Sequence, residues 1–510
     1  MITKVSQSEK ELLVSTIEDW SASNGLAIIP AKGTFRTQSN PNQRFATTAP
    51  VTLFPSPFPR DCFTHAKAIQ KDFNQLYAAV SQDDNFLLEV LGDVFESDEF
   101  SARLWKIHGK VKAEGYTQNL CLGLFRSDYL AHVPSDDCKP VIKQVEFNTI
   151  SASFAGLSSL TSKLHRYLIG TIYPTLNSYD ERLDSAYLPQ NESALEISRG
   201  LLVAFHEYSR QSSNKTSCIL FVVQTWEENI IDQRHLEYIL KSSASTVPVF
   251  RLHFSEILSC TKVANTPKRE LLYSLPSNPA KTFEVAVVYL RAGYDISHYP
   301  NEVDWDARYQ LERSNAIKCP SILTQLAGTK KVQQVLATPA PSSTTPSILE
   351  QFFSQEDRGY IPMKIQETFV EIFPLDSSPA GLKARNLATD PELCKNYVLK
   401  PQREGGGHNV YRSAIPPFLK SLPEEKWKAF ILMEIITQPP VYNHILRNGE
   451  IYSGGVICEL GIYGVCLWDN ATKKTIFNEQ ADYLLRTKGD QSEEGGIAAG
   501  FGCLDSCHLI

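Results

Sequence analysis

The chain has 510 residues, of which 42% are hydrophobic and 21% charged, a globular composition that excludes a disordered or collagen-like chain. Its 50 Lys and Arg against 57 Asp and Glu give a net charge of -7, which excludes a general positive field for binding a nucleic acid polymer. This length exceeds what one hydrophobic core usually spans, so we expect two or three lobes.

The N-terminal part is predicted to be mainly helical. A capped amphipathic helix is expected to begin at Ser8 and to end near Gly25. Residues 32–59 are rich in Thr, Asn, Gln and Pro and lack periodicity, which predicts a long surface connection. Two helical patterns follow at residues 64–80 and 84–109.

Two buried strands are predicted next, at residues 119–125 and 141–147. The first is expected to end at Arg126, and the second runs into a polar cluster at residues 148–153. Glu146 and Asn148 lie two residues apart, so both side chains can point to one face of the strand. With Glu404 they would form a set of hard oxygen ligands suited to Mg²⁺. An ordinary surface strand is the alternative interpretation of the same residues.

A change from polar to apolar residues near position 216 marks a predicted domain boundary. Strand, helix, strand and strand patterns follow at residues 218–223, 230–242, 246–252 and 284–290. They predict an inserted α/β lobe over residues 216–325. The body of the protein would then consist of residues 1–215 and 326–510, with the Pro- and Ser-rich stretch 338–346 as a connection.

The pattern Arg-x-x-Tyr occurs at the predicted end of two apolar strands, at Arg126 and at Arg291. The planar guanidinium of Arg can bind a carboxylate through two hydrogen bonds, which suits a substrate with carboxylate groups. A surface or interdomain salt bridge is the alternative for each Arg.

The C-terminal part is predicted to be rich in strands, at residues 397–400, 430–434, 451–458 and 465–468. The first strand leads into the segment KPQREGGGHN at residues 400–409. Consecutive glycines let backbone N–H groups approach phosphate oxygens, while Lys400 supplies positive charge and Glu404 a ligand for Mg²⁺. A flexible hairpin turn is the alternative. The spacing is that of neither a P-loop nor a G-x-G-x-x-G dinucleotide loop.

Two further segments could complete a nucleotide site. The apolar strand at 430–434 is either an edge on which an adenine ring stacks or a core strand. Arg486 and Lys488 precede a loop rich in Gly and Ala at residues 493–502, which can close over a ligand or form a packed turn. The histidines do not cluster, and no Ser-His-Asp or Cys-His spacing supports covalent catalysis.

The cysteines and the lengths of the apolar segments indicate the cellular compartment of the protein. Eleven cysteines are scattered without a C-x-x-C pair of the zinc or redox kind, which indicates free thiols in a reducing compartment. No apolar run approaches the roughly 18 residues of a membrane span, and the first twenty residues lack the apolar block of a secretory signal. We therefore predict a cytoplasmic protein with no membrane or nucleic acid partner.

The chain closely resembles the eukaryotic glutathione synthetases in four motifs: QVEFNTISASF at 144–154, QLAGTKKVQQ at 325–334, KPQREGGGHN at 400–409 and EGGIAAG at 494–500. The resemblance extends in the same order from residue 125 to the C-terminus. It implies an α/β (α+β) ATP-grasp fold with an inserted substrate-binding lobe and a glycine-rich lid. It also implies an ATP-dependent ligase that joins γ-glutamylcysteine to glycine through an acyl phosphate and releases ADP and phosphate.

The resemblance implies roles for individual residues of this chain. Groups at the reacting atoms would be Arg126, Lys400 and Arg486, and ligands of Mg²⁺ would be Glu146, Asn148 and Glu404. Contacts to ATP and its metal are implied for Glu146, Lys330, Lys400, Pro401, Gln402, Arg403, Glu404, Gly405, Gly406, Gly407, His408, Asn409, Tyr411, Met433, Glu434, Ile435, Ile436, Glu459, Lys488 and Glu494. Contacts to the dipeptide and glycine are implied for Arg126, Ile150, Ser151, Ala152, Ser153, Glu227, Glu228, Asn229, Gln233, Arg291, Ala292, Gly293, Tyr294, Arg486, Ile497 and Ala498.

Three residues depart from the common pattern of that family. His408 stands in place of Asn and Glu494 in place of Asp, changes that keep the loop amides and the acidic charge. Glu228 stands in place of Arg and reverses a charge beside the expected substrate pocket. Members of the family form homodimers, so a homodimer is expected.

Two alternatives to glutathione synthesis remain at this stage. One is a homoglutathione synthetase-type ligase that uses β-alanine, and the other is a catalytically silent ATP-grasp protein that binds nucleotide. The retained Ala498 and Ala499 favour glycine as the substrate. The retained metal ligands and phosphate-facing lysines favour an active enzyme.

Overall fold

The structure is a computed structural model that describes residues 5–30, 45–135, 138–180, 183–210, 216–342, 345–404, 407–493 and 502–510. The helices in these ranges are α1 Gln7–Asn24, α2 Arg60–Val80, α3 Asp84–Ser97, α4 Glu99–Glu114, α5 Ala155–Thr171, α6 Ser193–Ser209, α7 Ile230–Ser243, α8 Ile257–Cys260, α9 Glu302–Arg313, α10 Ile322–Ala327, α11 Lys330–Ala337, α12 Ile361–Gln366, α13 Pro379–Thr389 and α14 Ile415–Lys420.

The strands alternate with these helices along the chain. They are β1 Ala27–Ile28, β2 Thr47–Thr48, β3 Val51–Thr52, β4 Ser56–Phe58, β5 Leu120–His132, β6 Val141–Asn148, β7 Ser217–Val223, β8 Val249–His253, β9 Thr261–Val263, β10 Leu271–Leu275, β11 Asn278–Leu290, β12 Ile317–Cys319, β13 Ile372–Pro374, β14 Tyr397–Pro401, β15 Val410–Tyr411, β16 Phe430–Glu434, β17 Val441–Arg447, β18 Glu450–Asp469, β19 Lys474–Gly489, β20 Gly502–Asp505 and β21 Cys507–Leu509.

The predicted N-terminal helices are present, with two corrections. The first helix is capped by Ser6 rather than Ser8, because the Ser6 hydroxyl accepts a hydrogen bond from the Glu9 amide at 3.3 Å and the Glu9 carboxylate accepts from the Ser6 amide at 2.8 Å. The single helix predicted at 84–109 is two helices, α3 and α4. Asp98 separates them, since its carboxylate caps α4 by accepting from the Ser101 amide at 2.9 Å.

A seven-stranded sheet, in the order β17-β3-β20-β19-β18-β5-β6, is the largest sheet of the molecule. Strand β17 also pairs with β18, so five of the strands close into a ring. The predicted strand end at Arg126 is wrong, because β5 continues to His132 between its partners β18 and β6. The strands predicted at 451–458 and 465–468 are likewise one continuous strand, β18.

The predicted surface connection over residues 32–59 is wrong for its described part. Strands β3 and β4 are buried and pair with strands from the far end of the chain, β20 and β21. The buried Asp505 carboxylate ties the two ends together by accepting hydrogen bonds from the hydroxyls of Thr52 and Ser56 at 2.6 Å. Residues 31–44 lie outside the described part of the chain.

A six-stranded sheet contains the strand order β8-β7-β11-β10-β9, with β12 beside β11. The predicted elements of this region are confirmed as β7, α7, β8 and β11, while β9, β10 and β12 were not foreseen. Strands β7, β8, β11 and β12 run parallel, so their carboxyl ends lie at one edge, where ligands bind in such sheets. The limits of the domain stay a prediction.

A four-stranded sheet, in the order β13-β16-β14-β15, contains the strands predicted at 397–400 and 430–434. It holds Lys400 at the end of β14 next to Phe430 and Ile431 of β16.

Within the described residues, every helix is too short or too polar to cross a membrane.

Gly464, in the middle of β18, allows helix α2 to pack closely against the seven-stranded sheet. A Cβ at this position would lie 2.0 Å from Oδ1 of Asn74, a buried side chain that donates to Asn478 at 2.9 Å and to the Glu479 carbonyl at 3.1 Å. We expect Gly464→Ala to lower the free energy of unfolding by about 1–3 kcal/mol, because the helix must shift or Asn74 must lose its partners. Urea denaturation measures the change.

Gly454 provides the matched control in the same strand. A Cβ at Gly454 would meet no atom within 4 Å, so Gly454→Ala should change the free energy of unfolding by only a few tenths of a kcal/mol. Equal stability of the two variants would contradict the close contact at Gly464.

Candidate active site

A cavity of about 700 Å³ lies between the three larger sheets. Its walls come from β5, β6, β18 and β19, from β14 and β16, and from the loops that follow β6, β7 and β11. The following predicted residues line it: Arg126, Glu146, Asn148, Ile150, Ser151, Ala152, Ser153, Glu227, Asn229, Arg291, Tyr294, Lys400, Glu404, Asn409, Tyr411, Met433, Glu434, Ile435, Ile436, Glu459, Arg486 and Lys488. The lining therefore includes residues of the first motif, 144–154, and of the third motif, 400–409, while the second motif, 325–334, contributes none.

Some predicted residues lie elsewhere. Those that the structure describes outside the lining are Glu228, Gln233, Ala292, Gly293, Lys330, Pro401, Gln402, Arg403, Gly407 and His408. Gly405, Gly406, Glu494, Ile497 and Ala498, together with Ala499, are outside the described residues. Gln233 is fully buried, and its side-chain oxygen accepts a hydrogen bond from Arg251 at 2.8 Å.

Lys330 joins the two carboxylates that were predicted to bind metal. Its Nζ lies 3.1 Å from Oε2 of Glu146 and 3.2 Å from Oε1 of Glu404. Glu146 is near the end of β6, Glu404 follows β14, and Lys330 begins α11, so three separate segments meet here. The Lys330 ammonium therefore pairs with both carboxylates.

The charges around this cluster set its protonation. Enclosure opposes ionisation of Glu146, but the positive charges of Lys330 and Lys400 outweigh it and hold the Glu146 pKa well below its usual range. The Glu404 pKa is raised by its enclosure and by the neighbouring Glu146 carboxylate, with Lys330 opposing. Burial alone would lower the Lys330 pKa, yet the two carboxylates raise it above the ordinary value. Glu404 is therefore the carboxylate that most needs a cation beside it.

Lys400 is a second buried cation at the same end of the cavity. Its Nζ donates to the Val145 carbonyl at 2.8 Å, and its side chain is 4% exposed. Burial lowers the Lys400 pKa to about 8, with the Lys330 charge adding to this effect and Glu146 opposing it. A phosphate group beside Lys400 would stabilise its charged form.

Met433, Ile435 and Ile436 contribute apolar side chains to the cavity wall, with Glu434 between them. The backbone N–H groups of Glu434 and Ile435 already donate to the carbonyls of Glu371 and Asn396, each at 2.9 Å. An aromatic ring could stack on this wall, while the two N–H groups are already used in hydrogen bonds within the protein.

Asp128, which sequence reasoning missed, organises the cations at the centre of the cavity. Its carboxylate accepts from Nε and Nη2 of Arg126 at 2.6 and 2.9 Å, and from Nη2 of Arg486 at 2.9 Å. Asn148 also donates to it, at 3.0 Å. The alternation of side chains along β5 places Arg126 and Asp128 on one face, which is the signal that could have identified this residue.

The loop that follows β6 is held in place by Arg291, just after β11, and by Tyr463 of β18. Arg291 donates to the Ala152 carbonyl and to the Ser153 hydroxyl, each at 2.8 Å, and Tyr463 donates to the Ser153 carbonyl at 2.6 Å. Ser151 and Phe154 have φ values of 53° and 73°, which are unfavourable for residues with a side chain. Such a strained loop needs these supports, and its groups are thereby fixed toward the cavity.

Two buried polar atoms in this region have no hydrogen-bond partner among the described residues, Nε of Arg291 and Oε2 of Glu227. Arg291 is 3% exposed and Glu227 is 6% exposed. Buried polar groups are almost always hydrogen-bonded in folded proteins. The Arg291 Nε–H can donate to a carboxylate and the Glu227 Oε2 can accept from an ammonium, so the pair suits a ligand that carries both groups.

The glycine-rich loop is anchored at its base, away from the cavity. Arg403 contacts the buried Asp98 carboxylate at the start of α4, and Gln402 accepts from the Lys331 amide at 3.0 Å. Gln402 also donates to the Ala429 carbonyl at 3.2 Å. These contacts explain why Gln402 and Arg403 do not line the cavity while the next residue, Glu404, does.

The donor set suits a hard cation such as Mg²⁺. Within the described ranges there is no group of three His, Cys, Asp or Glu side chains placed to bind a metal. The predicted set contains two carboxylates and one side-chain amide, Glu146, Glu404 and Asn148. Mg²⁺ is commonly held by one or two carboxylates with substrate phosphates in its other positions, so these residues fit it.

Comparisons with known proteins identify the family of the chain. A family model described as the ATP-binding domain of eukaryotic glutathione synthase matches residues 7–509. The glutathione synthetase large chain of Schizosaccharomyces pombe is 36% identical over 525 residues, covering 100% of this chain and 99% of the relative. Glutathione synthetase of Homo sapiens is 37% identical over 478 residues, covering 93% of each chain.

A solved structure shares the fold. The glutathione synthetase-like effector GSS30 from Globodera pallida, in its apo form, superposes with a TM-score of 0.73 and 22% identity, covering 100% of this chain and 99% of that one. The fold class predicted from the sequence, a mixed α/β ATP-grasp architecture, is confirmed.

Proposed function

The chain belongs to the eukaryotic glutathione synthetase family, and from this premise we propose how its cavity makes glutathione. The protein is an ATP-dependent ligase that joins γ-glutamylcysteine to glycine. The observation that supports the proposal most directly is the cavity itself. Its lining includes Lys400, Glu146, Glu404, Arg126 and Arg486 around about 700 Å³, and Lys330 and Asp128 pair with these residues from outside the lining.

The reaction requires activation of a carboxylate, which is a poor electrophile. In the first step of the proposed reaction, an oxygen of the cysteinyl carboxylate attacks the γ-phosphorus of ATP, and ADP leaves. The amine of glycine then attacks the carbon of the resulting acyl phosphate, loses a proton and expels phosphate. No nucleophile from the protein takes part, so the side chains act by positioning and by neutralising charge.

The two lysines would neutralise the phosphate end of the cavity. Lys400 lies at the end of β14 beside the glycine-rich loop, and Lys330 lies between Glu146 and Glu404. Glu146, Asn148 and Glu404 would hold Mg²⁺, which when bound supplies positive charge to the phosphate oxygens. Met433–Ile436 would face the adenine ring.

The opposite end of the cavity would hold the dipeptide and glycine. Arg126 and Arg486 share Asp128, and Arg486 also contacts the Glu459 carboxylate, so both guanidinium groups are fixed in direction. N–H groups of these arginines that face the cavity would donate to a substrate carboxylate. The unpartnered Oε2 of Glu227 would accept a hydrogen bond from an ammonium, and Arg291 would donate to a carboxylate. The pairing of one acidic and several basic groups suits γ-glutamylcysteine.

The proposal also covers the domain organisation, the cellular location and the assembly of the protein. We propose that residues 216–325 form an inserted substrate lobe, that the protein acts in the cytoplasm, and that it assembles as a homodimer. The glycine-rich segment at 400–409 and the alanine-rich segment at 493–502 would close over the ligands, because the acyl phosphate must be kept from water.

A substrate comparison tests the proposed function. With ATP, Mg²⁺ and γ-glutamylcysteine, the purified protein should release phosphate at least about tenfold faster with glycine than with β-alanine at equal concentration, because one added methylene changes selectivity by about 10–200-fold. A coupled phosphate assay measures the rate, with each substrate omitted in turn as the control.

The other outcomes separate the alternatives. Faster release with β-alanine would indicate a homoglutathione synthetase-type ligase. Nucleotide binding without phosphate release in either mixture would indicate a silent nucleotide-binding protein.

A further inference from the structure

Gln325, in α10 behind the cavity, contacts both of the loops proposed to bind the dipeptide. Its side-chain amide donates from Nε2 to the Gly293 carbonyl at 3.1 Å. Its backbone carbonyl accepts from the Thr149 hydroxyl at 3.4 Å. Gly293 belongs to the loop after β11 and Thr149 to the loop after β6, so one residue of a third segment joins them.

The contact at Gly293 holds a backbone conformation that most residues avoid. Gly293 has a φ of 88°, and its carbonyl accepts from the Tyr299 hydroxyl at 3.0 Å as well as from Gln325. Tyr294, the next residue, and Arg291, two residues earlier, line the cavity. Rotation of the Gly293 peptide would therefore move the groups that face the substrate.

The segment that contains Gln325 also packs closely against Thr149. A Cβ on Gly328, three residues after Gln325, would lie 2.3 Å from the Thr149 hydroxyl, so the α10 segment passes directly against the loop. The same loop is joined to the first one through the Ser151 hydroxyl, which donates to the Leu290 carbonyl at 3.0 Å. The two loops and α10 thus form one connected unit.

Arg308 fixes the orientation of the Gln325 side chain. Its Nη2 donates to Oε1 of Gln325 at 3.3 Å, and both side chains are buried. Because a guanidinium can only donate, Oε1 must face Arg308, and Nε2 is left to donate to Gly293. The direction of the amide is therefore set by charge rather than by packing alone.

We propose that Gln325 is a positioning residue that holds the loops at Gly293 and Thr149 in the geometry that binds the dipeptide. The inference rests on the proposed function, since it concerns the same cavity. Gln325 is not among the residues that line the cavity, and it acts through the two loops. Its effect should therefore fall on the dipeptide and not on ATP.

Steady-state kinetics of Gln325→Met test this inference. Met keeps the length of the side chain but removes the donor to Gly293, so the KM for γ-glutamylcysteine should rise about tenfold or more, while the KM for ATP stays within about twofold. Gln325→Glu provides a second variant that keeps an acceptor for Arg308 and lacks the donor. It should show the same selective rise.

Gln334→Met is the matched control. Gln334 is also a buried Gln in the next helix, but its amide donates to the Thr338 hydroxyl at 3.1 Å and does not contact either loop. Both KM values of this variant should stay within about twofold of the original. Thermal shifts with each ligand, measured without turnover, should show that Gln325→Met loses the stabilisation by γ-glutamylcysteine and keeps that by ATP.

The results that would overturn the inference are distinct from those that would overturn the function. Unchanged KM values in both Gln325 variants, or a parallel rise for ATP and dipeptide together with a lower Tm, would show that Gln325 has no positioning role. Failure of the unmodified protein to bind or ligate γ-glutamylcysteine would overturn the proposed function, and this inference with it.

Discussion

Replacing Glu404 with Gln is expected to lower kcat/KM by about 10²–10³-fold with little change in the free energy of unfolding. Gln has the same shape but lacks the charge needed beside Mg²⁺ and the phosphates. The fold should tolerate the change because Glu404 and Glu146 are like charges that share Lys330. Phosphate release measures the loss of activity, and urea denaturation measures stability.

A Glu→Gln change at an exposed site separates this effect from the general loss of a charge. Glu425, an exposed residue before β16, is suitable, and Glu425→Gln should retain normal kinetics. Near-normal activity of Glu404→Gln would contradict its proposed role at the metal and phosphates.

Asp128→Asn should lower the free energy of unfolding by about 3–5 kcal/mol and abolish turnover. Asp128 is fully buried, and its carboxylate accepts hydrogen bonds from both Arg126 and Arg486. An amide offers one acceptor oxygen in place of two, and it leaves the buried Arg126 guanidinium without a compensating charge, while Arg486 keeps its contact with Glu459. Chemical denaturation and a thermal shift with γ-glutamylcysteine measure the two effects.

Asp93→Asn is the surface control for this prediction. Asp93 pairs with Lys428 at 3.5 Å, but its side chain is 60% exposed, and such pairs contribute little because water and salt screen them. A similar loss of stability in both variants would show that the Asp128 cluster is no more important than a surface ion pair.

Local patterns predicted many of the elements and the types of group at the site. The alternation along β6 correctly indicated that Glu146 and Asn148 could share a face, and both line the cavity. The strand predicted at 397–400 was also correctly identified, since β14 spans Tyr397–Pro401. These inferences succeeded because each depends on residues within a few positions of one another.

Other features depended on contacts between distant segments. Lys330 was predicted to face phosphate, and the structure adds that it bridges Glu146 and Glu404. The strands at residues 51–58 were missed because they pair with the C-terminal end of the chain and have little periodicity of their own. Asp128 and Gln325 were missed as functional residues because their partners come from other elements.

The amino-acid sequence was sufficient to identify the family and most of the residues around the cavity, since long motifs and strand alternation are visible in the order of residues. Which carboxylate pairs with which cation was established by the fold alone. A hydrogen bond between residues hundreds of positions apart depends on strand pairing and on the approach of helices to the sheet. Those distances are properties of the packed chain, and no local periodicity encodes them.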